Sequence, residues 1–105
     1  MSAARPLVTV CLPTYNGAAP VRRALDALLA QDYPNIELLI ADDASTDDTP
    51  HICAEYAARH PHLRFRRNAR NLGSWGNFAQ LLREARGEYL LWASQDDWWD
   101  PRFVP

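Results

Sequence analysis

Residues 36–49 read IELLIADDASTDDT, and this stretch decides the fold. Residues 36–41 form a nearly continuous apolar run, the pattern of a strand covered on both faces in a parallel sheet. Four aspartates then follow within seven positions, among small and hydroxylated residues. Thr49 and Pro50 next suit an N-cap and a first helical residue, with the helix running to about His60. Asp47 and Asp48 suit the capping of that helix, and Asp42 suits a turn anchor. Strand, acidic loop and helix in this order are half of a β-α-β unit.

The pattern repeats on both sides. Residues 7–13 (LVTVCLP) are a β-rich run closed by proline. After the loop TYNGAA, Pro20 sits where a first helical turn tolerates it. Val21, Ala24, Leu25, Leu28 and Leu29 then repeat at helical spacing. Downstream, residues 62–67 (HLRFRR) alternate apolar and basic residues and predict a short strand with one face in water. Its arginines, with Arg70, read either as charge protecting a sheet edge or as an electrostatic patch. Trp75, Phe78, Leu81, Leu82 and Ala85 share one helical face and are expected to pack into the core. Gly87 is expected to close that helix as a C′ glycine, and residues 88–94 (EYLLWAS) form the last strand. The order β-α-β-α-β-α-β with short connections predicts an α/β layer fold and a mostly parallel sheet. Right-handed crossovers with two halves winding oppositely give the strand order 3-2-1-4, with helices on both faces.

Composition narrows the function. The chain has 105 residues, enough for a single domain, and a net charge of −2. All eleven basic residues are arginine. The absence of lysine removes a P-loop lysine, Schiff-base chemistry and the lysine of a receiver domain. The acidic balance, without a basic stripe carrying stacking aromatics, argues against nucleic-acid binding. No apolar run approaches the ~20 residues that span a bilayer, so a cytoplasmic location is expected, with an anchor left to sequence beyond this chain. Cys11 and Cys53 lack C-x-x-C spacing and read as small buried apolar residues. His51, His60 and His62 read as capping and turn residues rather than ligands.

In a parallel sheet the strand C-termini share one edge, and ligands bind there where the winding reverses. That edge would gather Pro13-Thr14-Tyr15-Asn16, Asp42-Asp43 and Ser94-Gln95-Asp96-Asp97. Clustered carboxylates repel, and a divalent cation relieves the repulsion; Mg²⁺ or Mn²⁺ takes oxygen ligands, usually one or two carboxylates with substrate phosphates. Asp96 and Asp97 suit that role. Asp43 suits a carboxylate accepting hydrogen bonds from a base or ribose, and Tyr15 can offer a flat face to a base. A dehalogenase-like phosphatase would need D-x-D directly after the first strand, where PTYN stands. A nucleotidyltransferase would need a glycine-rich, basic loop there. A nucleotidyltransferase-like or non-catalytic nucleotide-binding or interaction module is the alternative reading.

Four blocks, VTVCLPTYN, IELLIADDASTDDT, NLGSWGNF and ARGEYLLWASQDDWWDP, resemble in order and spacing the nucleotide-binding half of family 2 glycosyltransferases of the Rossmann-like GT-A fold. The resemblance covers roughly residues 6–103. It implies that residues 1–105 are one domain that binds a nucleoside-diphosphate sugar, a UDP- or dTDP-sugar, for transfer to an acceptor in cell-surface polysaccharide or glycoconjugate synthesis. It implies that Pro13, Thr14 and Tyr15 line the base pocket, that Asp43 contacts base or ribose, and that Gln95 and Asp96 face the donor. It implies that Asp96, with Asp97 beside it, holds Mn²⁺ or Mg²⁺ as the metal-binding member of a D-x-D-type motif. The acceptor-binding half and the catalytic base of such enzymes are expected beyond residue 105. The last strand, with Trp92, Trp98 and Trp99, would then present an open sheet edge suited to pairing with a second copy. In the full-length protein the location is expected to be cytoplasmic, at the cytoplasmic face of the membrane.

Overall fold

The computed structural model describes residues 6–93. Its elements follow in the order β1 (Val8–Thr14), α1 (Ala18–Leu29), β2 (Ile36–Asp42), α2 (Thr49–Arg59), β3 (Leu63–Arg67), α3 (Gly73–Glu84) and β4 (Tyr89–Trp92). All strand pairings are parallel and the sheet order is β3-β2-β1-β4, as expected.

The period of two along each strand divides the core in two. On one face Val8, Val10 and Leu12 of β1 and Leu38 and Ile40 of β2 meet Val21, Leu25 and Leu28 of α1 and Ile52, Cys53 and Tyr56 of α2. On the other, Cys11, Leu39 and Ala41 meet Leu81 and Ala85 at α3. Helices therefore cover both faces. The sheet separates Cys11 from Cys53, and both thiols are free and buried. Burial pushes Cys11 up to about 11, helped by the charge of Glu37. It pushes Cys53 up to about 12, with Asp42 adding to the rise.

At the N-terminal edge of the sheet Glu37 fastens the α3–β4 crossover. Its carboxylate accepts the Thr9 hydroxyl at 2.6 Å, the Arg86 N–H at 2.9 Å and the Arg86 and Arg64 guanidinium groups. Burial opposes its charge, but the bonds from Thr9 and Arg86 and the charge of Arg64 outweigh it and hold the carboxyl below its ordinary value. Gly87 belongs to this junction. It is not the left-handed C′ glycine expected: α3 ends at Glu84 with an extended Ala85 as C-cap. Glycine is required for close approach instead, because a Cβ would lie 2.6 Å from both N and Oγ1 of Thr9.

Two other expectations change. The N-cap of α2 is Asp48, and Thr49 is already helical; Asp47 takes the capping bonds, accepting the Thr49 N–H and hydroxyl. Of the stripe on α3, Leu81 and Ala85 pack in the core as expected, but its aromatic part does not. Asn77 and Leu81 are the buried residues of the helix, while Trp75 is 78% exposed and Leu82 is exposed. The reason is placement: α3 lies over β1 and β2, so the Trp75 side of the helix overhangs β4. There Phe78 packs edge-on against Trp92 at 4.0 Å and Trp75 against Phe78 at 5.6 Å. At the opposite edge β3 exposes Arg64, Arg66 and Arg67. Arg66 pairs with Glu84 and Arg64 with Glu37, so charge protects that edge.

Candidate functional site at the C-terminal edge of the sheet

The ends of β1 and β2 are braced into one unit. Thr14 and Asp42 are register partners, and the Thr14 hydroxyl donates to Asp42 Oδ1 at 2.8 Å. The Asp42 carboxylate also accepts the N–H and hydroxyl of Ser45 at 2.9 and 2.6 Å. Asp42 is fully buried and acts as the turn anchor. One residue on, the Asp43 N–H donates to the Thr14 carbonyl at 2.9 Å. The first loop then crosses the second through three backbone N–H donors: Asn16 to Ser45 Oγ, Gly17 to Thr49 Oγ1 and Ala18 to Asp47 Oδ2. Asn16 Oδ1 in turn accepts the Thr46 N–H.

This bracing holds two residues in the left-handed region, Asn16 at φ 47° and Ala44 at φ 63°. Asparagine tolerates that conformation. Alanine there carries strain of order 1–3 kcal/mol, which persists only where neighbours fix it. Ala44 is fixed by the bonds of Asp43 and Ser45 on either side. Strain concentrated at two adjacent strand ends is characteristic of binding sites.

Tyr15, 48% exposed, and Asp43 thus share one edge of the molecule, brought together by the Asp43–Thr14 bond. Pro13 is half-buried beside them. Thr14 is buried, with its hydroxyl on Asp42 and its carbonyl on Asp43, so it shapes the site from behind. Asp43 is only 4% exposed. Its Oδ1 accepts Asn68 Nδ2 at 3.0 Å and the Leu72 N–H at 2.6 Å, and its Oδ2 accepts the Gly73 N–H at 3.0 Å. The carboxylate of the residue just after β2 therefore caps α3, whose own N-cap residue, Leu72, has no capping side chain. Gln95, Asp96 and Asp97 lie outside the described residues, as do Trp98 and Trp99.

Among the described residues no group of three histidine, cysteine, aspartate or glutamate side chains could hold a metal ion. The carboxylates of Asp42, Asp43 and Asp47 are engaged by internal donors. A divalent cation at this edge would therefore need oxygen ligands from outside the described residues, where the sequence offers Asp96 and Asp97. Beside the Asp43 loop runs an open groove of about 640 Å³ lined by Arg66, Arg67, Asn68, Ala69, Arg70, Leu72 and Gln80. Arg70 there is exposed, while Arg67 donates to the Ser45 carbonyl. A second cleft of about 290 Å³ lies at the far edge, between Leu28, Tyr33, Ile36 and His62. It is remote from the strained loops and from the acids.

Sequence reasoning missed the amides. Asn68, Asn77 and Gln80 form a hydrogen-bonded chain behind Asp43. The available signal was the spacing of Asn77 and Leu81, one turn apart, which puts a polar residue on the core-facing side of α3.

A parallel sheet whose winding reverses between β1 and β4, with braced polar loops at its C-terminal edge, is a doubly wound α/β domain, a class in which ligands bind at that edge. The chain belongs to the glycosyl transferase family 2, whose family model matches residues 9–105, and its fold is that of the GT-A enzymes. It is similar to the mannosyltransferase PcManGT from Pyrobaculum calidifontis, solved in complex with GDP-Man and Mn²⁺: TM-score 0.84 and 36% identity, over 91% of this chain and 29% of that one. It is also similar to Staphylococcus aureus TarS 1–349 in complex with UDP: TM-score 0.83 and 30% identity, over 91% and 29%. An uncharacterised protein of Mycobacterium tuberculosis is 50% identical over 93 residues, 84% of this chain and 26% of that protein. Escherichia coli chondroitin synthase is 37% identical over 100 residues, 94% of this chain and 14% of that protein. The chain thus spans less than a third of the length of each.

Proposed function

We propose that residues 1–105 form the donor-binding domain of a metal-dependent glycosyltransferase. It holds a nucleoside-diphosphate sugar, a UDP- or dTDP-sugar, for transfer to an acceptor in cell-surface polysaccharide or glycoconjugate synthesis. The observation that carries this reading is the convergence of Tyr15 and Asp43 on one strained, cross-braced edge. Relatives solved with GDP-Man and Mn²⁺ or with UDP support it.

In this reading Pro13 and Tyr15 flank the base, and Thr14 fixes the strand ends behind it. Asp43 accepts a hydrogen bond from base or ribose. Gln95 and Asp96 face the donor, and Asp96 and Asp97 hold Mn²⁺ or Mg²⁺. When bound, the ion supplies Lewis-acid stabilisation of the departing diphosphate. Arg70, in the adjacent groove, offers positive charge to the phosphates. The carboxylate that deprotonates the acceptor is assigned to no residue of this chain. A thermal-shift panel of UDP, dTDP, GDP and CDP, each with and without Mn²⁺, tests the reading. Stabilisation by one nucleotide only when Mn²⁺ is present supports it; no response to any of them overturns it.

Two further parts of the proposal concern the whole molecule. Among the described residues β4 is an edge strand that exposes Tyr89, Leu90 and Trp92 beside Trp75, with no charge on that strand, in contrast to the arginine-covered β3 edge. It pairs with a second copy. Sedimentation that shows only monomer at high concentration refutes this. No helix among the described residues is long and apolar enough to cross a membrane, and we place the full-length protein in the cytoplasm, at the membrane face. Fractionation of cells expressing it checks the placement.

A further inference from the structure

The amides behind Asp43 are ordered from both ends. At one end Asn77 Nδ2 donates to the Ala41 carbonyl at 2.8 Å. At the other, Asn68 Nδ2 donates to the Asp43 carboxylate. Both end groups can only accept. Asn77 must therefore turn Oδ1 inward, where it receives Asn68 Nδ2 at 3.0 Å and Gln80 Nε2 at 2.7 Å. Asn68 Oδ1 receives the same Gln80 nitrogen at 2.6 Å, and the Asn68 N–H is anchored on the Asp42 carbonyl at 2.8 Å. Asn77 is 2% exposed and Asn68 9%. Both Asn68 Nδ2 hydrogens are committed, and no amide in the chain can flip without setting donor against donor or acceptor against acceptor. A buried polar chain satisfied in a single direction is a rigid element.

We propose that Asn68, backed by Asn77 and Gln80, is a positioning residue that orients the Asp43 carboxylate for one hydrogen bond from the donor nucleotide; this rests on the donor-binding reading. An ionised carboxylate offers about four acceptor positions. Asn68 and Leu72 take two on Oδ1 and Gly73 takes one on Oδ2. Among the described residues no donor takes the last one, on Oδ2. The ligand group that meets it must donate a single N–H or O–H, and a base presenting a ring acceptor at that point is rejected. The amide chain sets which position stays open, so it contributes to base selectivity without touching the ligand.

The test measures the affinities of UDP, dTDP, GDP and CDP, with Mn²⁺, for wild type, Asn68→Ala, Gln80→Ala and Glu37→Gln. Glu37→Gln is the control for destabilisation alone, because Glu37 lies at the opposite edge of the sheet. Asn68→Ala is expected to narrow the ratio between the best- and worst-bound nucleotide about tenfold, the value of roughly one charge-assisted hydrogen bond. Gln80→Ala narrows it less, and it carries the test if Asn68→Ala does not fold. Glu37→Gln lowers the melting temperature and leaves the ratio as in wild type. Affinities that fall together in the Asn68 and Gln80 variants, with the ratio unchanged, overturn the positioning role while leaving donor binding intact. A wild-type chain that binds none of the four overturns the donor-binding reading itself, and the positioning role with it.

Discussion

Replacing Asp43 by asparagine should loosen α3 before any ligand is considered. Three N–H donors converge on this carboxylate, two of them from the first turn of the helix. Asparagine keeps one acceptor oxygen and turns an –NH₂ toward one of the three donors. The best arrangement keeps Asn68 and Leu72 satisfied and sacrifices Gly73, whose N–H retains only Asn71 Oδ1 at 3.0 Å. Loss of one hydrogen bond to a charged acceptor costs about 1.5–3 kcal/mol. Loss of the anion at the N-terminus of a 12-residue helix adds about 0.3–1 kcal/mol. Together these come to about 2–4 kcal/mol. A domain of 105 residues loses roughly 4–5 °C of melting temperature per kcal/mol, so a fall of about 8–20 °C is expected. Circular-dichroism melts without nucleotide measure it, and hydrogen exchange at Leu72 and Gly73 localises it. A melting temperature within about 2 °C of wild type, well below the ~4 °C that 1 kcal/mol produces, with unchanged protection at those two amides, would refute the role of Asp43 as the cap of α3.

Three other outcomes follow from the opposite edge and the core. The folded-state carboxyl of Glu37 is depressed, so its contribution to stability is full above the unfolded value of ~4.3 and is lost as pH falls through the folded value; Glu37→Gln should flatten the acid limb of a stability-versus-pH curve below about pH 5. Gly87→Ala drives a methyl into the Thr9 backbone and should cost about 1–3 kcal/mol, read as lost exchange protection in β4 with α1 and α2 unaffected. Cys11 and Cys53 are buried, with thiols pushed up to about 11 and about 12. Neither should react with a thiol reagent at pH 8 until denaturant is added, when both should.

Most of the fold was legible because two periodicities agree. Leu38, Leu39, Ile40 and Ala41 demand cover on both faces, and Val21, Leu25 and Leu28 supply it on one of them. The proline, glycine and asparagine positions mark the turns between. Apolar counting failed on α3, because Trp75, Phe78 and Leu82 share a helical face without sharing a buried one. The element that decides burial is the neighbour the helix lies on, and that is a tertiary fact. Gly87 was visible as a special position, but the requirement is the nearness of Thr9, 78 residues earlier, and not a local φ. At the site, Tyr15 and Asp43 could be placed on one edge from strand order alone. The amide chain could not, because Asn68, Asn77 and Gln80 look like surface residues until Asp43 and the Ala41 carbonyl give them partners.

Isothermal titration of UDP, dTDP and GDP into wild type and Asp96→Ala, in Mn²⁺ and again in EDTA, bears most directly on whether this edge is a donor site. One nucleotide should bind wild type in Mn²⁺ and lose most of its affinity in EDTA, and Asp96→Ala should show the weak EDTA value under both conditions. Binding that ignores the metal, or an Asp96→Ala chain that responds to Mn²⁺ as wild type does, would contradict it.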